Sequence, residues 1–393
     1  MTDGYNPTDL IRGGLERSGW DETSEALILT SGFVYPSAEA AEAAFAGEHE
    51  RYIYSRYGNP TVAMFQERLR LIEGAEACYA TASGMSAVFT SLIALLESGD
   101  AVVAAKGLFG SCFVILDELL PRWGIRTTFV DGDDLDAWEK ALSDGAKVVF
   151  FESPSNPMQG LVDITAVSDL AHQAGATVVV DNVFATPILQ KPLDLGADVV
   201  VYSTTKHIDG QGRTLGGAIL GTEQYIVEDV QPFIRHTGPA LSPFNAWVLT
   251  KSLETLPLRV NAEVASALAL AEALEELDGV ERVWYPYLAS HPQHDLARSQ
   301  MASGGTVVTF SVRGGKDAAF RLLNALEVID ISNNLGDSKS LVTHPASTTH
   351  RRLGPDVRAD MGITDGVVRV SVGLESIDDL ISDVTQAVEV ATS

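Results

Sequence analysis

The sequence is short of cysteine, of positive charge and of long apolar runs, and each shortage excludes something. Cys78 and Cys112 are the only thiols in 393 residues, too few for a disulfide framework or a structural zinc site. Neither lies in a recognisable nucleophile context. Lys and Arg number 27 against 53 Asp and Glu, a net charge of −26. A nucleic-acid partner would need a basic face that this balance does not offer. The same balance makes each arginine informative, because an anionic ligand must find local positive groups. No apolar stretch is long enough to cross a membrane. The opening residues, MTDGYNPTDL, lack the basic-then-apolar pattern of a secretory signal, so cytoplasm is expected. No tandem repeat or low-complexity tract is present, and no Gly-rich dinucleotide loop follows the first strand-like run.

What is there reads as an α/β chain in three parts. Residues 1–58 have no sustained period and suit an arm, with a short helix at AEAAEAAFAG. Asn59 and Pro60 then cap a helix whose face is Val62, Phe65, Leu69 and Ile72, closed by Gly74. Val-rich runs follow at 101–105, 127–131, 147–154, 177–181 and 198–203, alternating with helical stretches such as VDITAVSDLAHQAGA. Such runs suit strands buried on both faces of a parallel sheet. After GGAILG come long helical stretches, SPFNAWVLTKSLETLPLRV and AEVASALALAEALEEL. The strands GGTVVTFSV, VIDISN and GVVRVSVG of a smaller α+β domain complete the chain. The expected division is an arm over 1–58, a large domain over 59–250 and a small domain over 251–393.

Four strand-end loops carry groups with chemistry. In TASGMSA a helix begins at Ser83-Gly84-Met85, where free N–H groups and the helix dipole favour an anion. In VVVDNVF, Asp181 ends an apolar strand and needs a cationic or hydrogen-bonding partner. In VYSTTKH, Ser203 and Thr205 supply hydroxyls and Lys206 an amine whose pKa desolvation would lower. In FFESPSNP, Asn156 lies between two prolines, placed for a ring hydroxyl or a carboxylate. Each alone is also compatible with an ordinary helix start, cap, surface lysine or turn. Together, an amine, an acid and an anion site are what pyridoxal phosphate needs: an imine lysine, a partner for the pyridine nitrogen and a phosphate cradle.

On these pieces, with YSRYGNPT, VDNVFATP, GPALSPFNAW, THPAST and RVSVGLE, nearly the whole chain resembles the Cys/Met-metabolism family of pyridoxal-phosphate enzymes. That family includes cystathionine γ-synthase, γ-lyases and homoserine-ester sulfhydrylases. The resemblance implies the aspartate aminotransferase-like fold of type I, with a large, mostly parallel sheet domain and a smaller C-terminal one. It implies Lys206 as Schiff-base lysine and proton shuttle, and Asp181 on the pyridine nitrogen. Gly84, Met85, Ser203 and Thr205 would hold the phosphate. Tyr54 and Arg56 would reach the phosphate of a neighbouring subunit, in a tetramer built of dimers with shared sites. Arg369 would bind the substrate α-carboxylate, helped by Asn156 and Ser340. One departure stands out: where many relatives stack a tyrosine on the ring, the loop GLFGS has Phe109, which can stack but cannot move a proton. Tyr54 then becomes the nearer acid–base candidate. No metal is expected.

Within the family, LGDSKSL, with Lys339 where synthases and lyases usually carry glutamate, resembles the sulfhydrylases, and HIDGQGR the O-succinylhomoserine branch. The implied reaction joins sulfide to that ester's homoserine carbon, giving homocysteine and succinate, a step of methionine biosynthesis. O-acetylhomoserine sulfhydrylase, cystathionine γ-synthase and methionine γ-lyase are the alternatives. A different chemistry, the Y-x-x-x-K pair of short-chain dehydrogenases formed by Tyr202 and Lys206, would need a helix where a strand is expected. A binding protein without catalysis would not need both Lys206 and Asp181. His291 and His294 in SHPQHDL lack the companion ligands a metal needs and read as structural, and His344 and His350, flanking THPASTTH, read as packing or substrate-side groups. Arg213 reads equally as structural or as a contact for the succinyl carboxylate.

Overall fold

The computed structural model describes residues 5–393. Helix α1 (Pro60–Glu73) starts at Asn59, whose side chain accepts from Thr61 N–H at 2.9 Å, and ends at Gly74 with φ 86°. Phe65, Leu69 and Ile72 on its inner face are at most 1% exposed. The chain then builds a seven-stranded sheet from β1 (Ala77–Thr81), β2 (Ala101–Ala105), β3 (Arg126–Val130), β4 (Val148–Glu152), β5 (Thr177–Asp181), β6 (Val199–Ser203) and β7 (Gly217–Gly221). The order is β1-β7-β6-β5-β4-β2-β3, parallel except for β7, which runs against both neighbours. Val102 and Ala104 enter one core and Val103 and Ala105 the other, so the sheet is covered on both faces. That two-sided burial is why these runs are continuously apolar. Helix α2 (Gly84–Ile93) packs on one face and the crossover helix α3 (Ile164–Gln173) on the other.

The helical stretches that follow divide at Glu254–Thr255. Helix α4 (Pro243–Leu253) ends there, and α5 (Leu256–Glu275) begins with Pro257 in its first turn, where a missing N–H costs nothing. Its first half, Leu256, Val260 and Val264, belongs to the core of the large sheet. Its second half, Ala267, Leu270, Ala271 and Leu274, belongs to a second core. That second core fills a five-stranded sheet of β8 (Val280–Trp284), β9 (Val307–Val312), β10 (Asp330–Ile331), β11 (Leu341–Thr343) and β12 (Val367–Ser371), ordered β10-β11-β12-β9-β8. Helices α6 (Gly315–Ala325) and α7 (Ile377–Thr392) cover it.

The N-terminal segment is tied to this frame at its root. Arg68 of α1 is fully buried and pairs with Glu25 at 2.6 Å, and Lys251 of α4 reaches the same carboxylate at 2.8 Å. Arg68 also donates to the carbonyls of Gly13 and Thr250. Further out the segment is apolar and exposed: Trp20 is 90% exposed and Val34 89%.

Candidate active site

The carboxyl ends of parallel strands lie along one edge of the large sheet, and ligands of such sheets bind beyond that edge. Four of the predicted loops meet there. β1 runs into Ser83 and α2, β4 ends at Glu152, β5 at Asp181 and β6 at Ser203.

At the start of α2, Ser83 Oγ accepts from Ser86 N–H at 3.1 Å. The N–H groups of Gly84 and Met85 have no carbonyl four residues back within the helix. A Cβ on Gly84 would lie 2.5 Å from Ser203 Cβ, so only glycine lets this helix start meet the end of β6. The Thr205 hydroxyl turns onto Gly216, accepting its N–H at 3.2 Å. First-turn amides beside the Ser203 hydroxyl make a small anion cradle, the shape a phosphate ester requires.

Lys206 leaves the end of β6 and its amine donates to Asn334 Oδ1 at 2.5 Å. Burial, and then the charge of Arg369, lower its pKa to about 8. Asp181 and Glu152 are paired in register on adjacent strands. Asp181 accepts from Val183 N–H at 3.0 Å, and burial raises its pKa to about 7. Among the described residues it has no Lys, Arg or His partner within 4.0 Å, so it can take a cationic N–H such as that of a pyridinium ring. Glu152 accepts from Phe109 N–H at 2.6 Å and its acidity is strongly suppressed, by burial first and by Asp181 second. Phe109 lies half-buried at the start of a short helix, Gly110–Val114.

The other wall comes from the five-stranded sheet. Arg369 on β12 is 2% exposed. It donates to Asn156 Oδ1 at 2.9 Å and to the carbonyls of Asn333 and Asn334 at 3.0 and 3.2 Å. Its Nε has no partner, and no carboxylate pairs with it among the described residues. A buried guanidinium left this way is a prepared site for a ligand carboxylate. Asn334 therefore links Lys206 through its side chain to Arg369 through its carbonyl. His350 is fully buried beside Arg369, with Nε2 unpartnered, and burial and that charge lower its pKa to about 4.

Some expected residues are engaged elsewhere. The Ser340 hydroxyl donates to Glu375 at 2.8 Å and accepts from Gly373 N–H at 2.9 Å, and its own N–H goes to Glu375. Arg213 folds back on Asp209 and donates to Ser252 Oγ at 2.6 Å, the structural one of its two readings. The Lys339 side chain is 62% exposed, 3.5 Å from Asp337. Tyr54 and Arg56 are engaged with other groups: Tyr54 meets Tyr57 edge-on, and Arg56 stacks on Tyr57 at 4.8 Å and donates to the Arg235 carbonyl. Tyr202 lies in a strand, and its phenol donates to the buried Glu73 at 2.6 Å, so it forms no helical pair with Lys206. His344 bonds to Ser347 and to the Asp365 carbonyl, and His291 accepts from Gln293 N–H.

An amine of lowered pKa, an unpaired acid and an anion cradle share one sheet edge, so the residues present fit pyridoxal phosphate. Comparison with known proteins agrees. The family model described as Cys/Met metabolism PLP-dependent enzyme matches residues 7–389. An O-succinylhomoserine sulfhydrylase of Mycobacterium tuberculosis is 65% identical over 381 residues, 96% of this chain and 94% of that protein. One of Pseudomonas aeruginosa is 50% identical over 376 residues, 96% and 93% of the two chains. A Campylobacter jejuni chain solved with N′-pyridoxyl-lysine-5′-monophosphate superposes with a TM-score of 0.93 at 31% identity, covering 98% of this chain and 100% of that one. The chain belongs to the Cys/Met-metabolism family of PLP-dependent enzymes.

Proposed function

We infer that this chain is an O-succinylhomoserine sulfhydrylase, converting O-succinyl-L-homoserine and hydrogen sulfide into L-homocysteine and succinate. The observation that carries the reading is the identity of 65% and 50%, nearly end to end, to two proteins of that name. The geometry supports an amino-acid substrate, because Arg369 offers a buried guanidinium that no carboxylate among the described residues occupies.

Bound pyridoxal phosphate supplies the electron sink for carbanion chemistry. The chain supplies the rest. Lys206 would hold the cofactor. At a pKa of about 8 a substantial fraction of its amine, once free, is unprotonated at neutral pH and can take the Cα proton and return it. Asp181 would face the pyridine nitrogen. The amides of Gly84 and Met85, with Ser203 and Thr205, would hold the phosphate. Phe109 would pack on the ring face. Arg369, oriented by Asn156, would clamp the α-carboxylate and so fix which substrate bonds lie over the ring. Ser340 would act by bracing the loop rather than by a free hydroxyl. Succinate leaves Cγ as a stable carboxylate and sulfide takes its place. That leaving group needs little protonation, which suits a site where Phe109 has no phenol.

Tyr54 and Arg56 would serve a neighbouring subunit. Their engagement with Tyr57 and the Arg235 carbonyl in this chain supports that reading, as do the exposed Trp20, Leu29, Val34 and Phe45 of the arm. The proposed assembly is a tetramer built of two dimers with shared sites, its subunits divided into an arm (1–58), a cofactor-binding domain (59–250) and a small domain (251–393). A cytoplasmic setting suits two buried, unpaired cysteines. No helix among the described residues is long and apolar enough to cross a membrane.

The test is homocysteine formation from sulfide with O-succinylhomoserine and O-acetylhomoserine side by side, in protein loaded with pyridoxal phosphate. A succinyl preference is expected. An acetyl preference would correct the substrate. Cystathionine from cysteine, with no homocysteine from sulfide, would move the chain to the synthases, and α-ketobutyrate without added thiol would move it to the lyases.

A further inference from the structure

Glu152 has no task in the reaction as described, yet it sits behind the acid that matters most. It ends β4 in register with Asp181 at the end of β5, and the two side chains point from the same sheet face. Carboxylate oxygens of both, with the Cys112 sulfur, lie within 4.8 Å of one another. Glu152 is 5% exposed and Cys112 1%. Among the described residues neither acid has a Lys, Arg or His partner within 4.0 Å. Four groups face Glu152: Asp181 from β5, the Cys112 thiol from the helix after Phe109, the Phe109 N–H, which it accepts at 2.6 Å, and the Asn156 backbone from the loop after β4. Tyr202, the nearest phenol on β6, is turned to Glu73.

Two carboxylates this close, buried and without a cation, cannot both be charged. The surroundings decide which one is. Asp181 accepts the Val183 N–H and would face the ring of bound pyridoxal phosphate, whose protonated nitrogen would favour its anion. Glu152 has the backbone amides of Phe109 and Asn156 and the Cys112 thiol, but no cation to favour its anion over that of Asp181. We propose that Glu152 is a positioning residue that stays protonated in the working enzyme, leaving the pair's single negative charge on Asp181 and so fixing the protonation of the pyridine nitrogen. The inference rests on the chain's binding pyridoxal phosphate, not on which homoserine ester it uses.

The test is E152Q in the cofactor-loaded enzyme without substrate. Glutamine copies a neutral carboxyl in shape and hydrogen bonding. The infrared difference spectrum of wild type minus E152Q at pH 8 should contain the carbonyl band of one protonated carboxyl, which subtraction separates from the buried Glu73 and Glu263. The pH titration of cofactor absorbance should keep its wild-type midpoint in E152Q and move in E152L, which cannot satisfy the Phe109 N–H. No carboxyl band in the difference, or an E152Q midpoint displaced by about one unit or more, would mean that Glu152 is ionised and overturns the proposal. If E152Q does not fold, the same infrared measurement on an E73Q/E263Q background with and without 13C-labelled glutamate answers the question: a buried carboxyl band that shifts on labelling belongs to a protonated glutamate and supports the proposal, and the absence of such a band overturns it. Homocysteine formation, assayed separately, reports on the substrate reading alone.

Discussion

The amine of Lys206 should behave as a base of pKa about 8 instead of 10.5, and this can be measured directly. Burial makes the larger contribution by penalising the ammonium, and the positive charge of Arg369 adds to it. At pH 7 an amine of pKa about 8 is about 9% neutral, against about 0.03% at the ordinary value, a gain of about 300-fold in the reactive form. The assay strips the cofactor and follows, by stopped-flow absorbance, how fast the apoenzyme recaptures pyridoxal phosphate covalently across pH 6 to 10. K206R, which cannot form the bond, supplies the blank. The rate should rise with a midpoint near pH 8. In R369Q the midpoint should move upward, because removing a positive neighbour makes the ammonium easier to keep. A wild-type midpoint near 10 would refute the burial argument, and an R369Q midpoint that stays or falls would refute the charge argument.

Two further outcomes follow from residues outside that pair. Glu73 is fully buried under the Tyr202 phenol, and burial raises its pKa to about 7 against 4.5 in the unfolded chain. A raised acid favours the fold fully below the unfolded value, and that contribution is lost as pH rises through about 7, by roughly 3 kcal/mol at the high end. E73Q should therefore melt higher than wild type at pH 8.5 but not at pH 4.5, and equal melting at both would remove the premise. At the start of α2, G84A would force a methyl against Ser203 Cβ at 2.5 Å and push the anion cradle open. Overpacking costs about 1–3 kcal/mol, so the Kd for pyridoxal phosphate should rise roughly 5- to 150-fold; unchanged affinity in a fluorescence titration would show that this helix start does not hold the phosphate.

The large sheet was legible because burial on both faces leaves a plain record, Val-rich runs ending in a polar group. Asp181 and Lys206 stood out by the same rule. Glu152 obeys it too, ending VVFFE, but lay in a stretch whose prolines and Asn156 drew the reading to the loop beyond. Asn334 left no local mark, and His350 was marked only by the motif THPASTTH that it closes. Lys206 and Asn334 are 128 residues apart, and only docking of the second sheet joins them. Ser340 is occupied by Glu375, 35 residues on, a pairing no spacing announces. In the small domain β8 is partly exposed and β11 has three residues, too short for a period to register. The break in the long helical stretch was marked by Pro257, which begins a helix as readily as it interrupts one.

Helix α5 is rooted in both cores, and that makes it a lever. Twenty residues span about 30 Å, so a tilt of about 5° around the middle displaces either end by roughly 1.3 Å. Lys206 and Asp181 belong to the body at one end, Arg369 and Asn334 to the body at the other. The gap between amine and guanidinium thus depends on the angle of this strut, 50 residues or more from Lys206 in the chain, as well as on the direct bridges Lys206–Asn334 and Arg369–Asn156. A change in the packing of Val264 or Ala267, near its fulcrum and in contact with no reacting atom, would be felt as a substrate held out of alignment with its base.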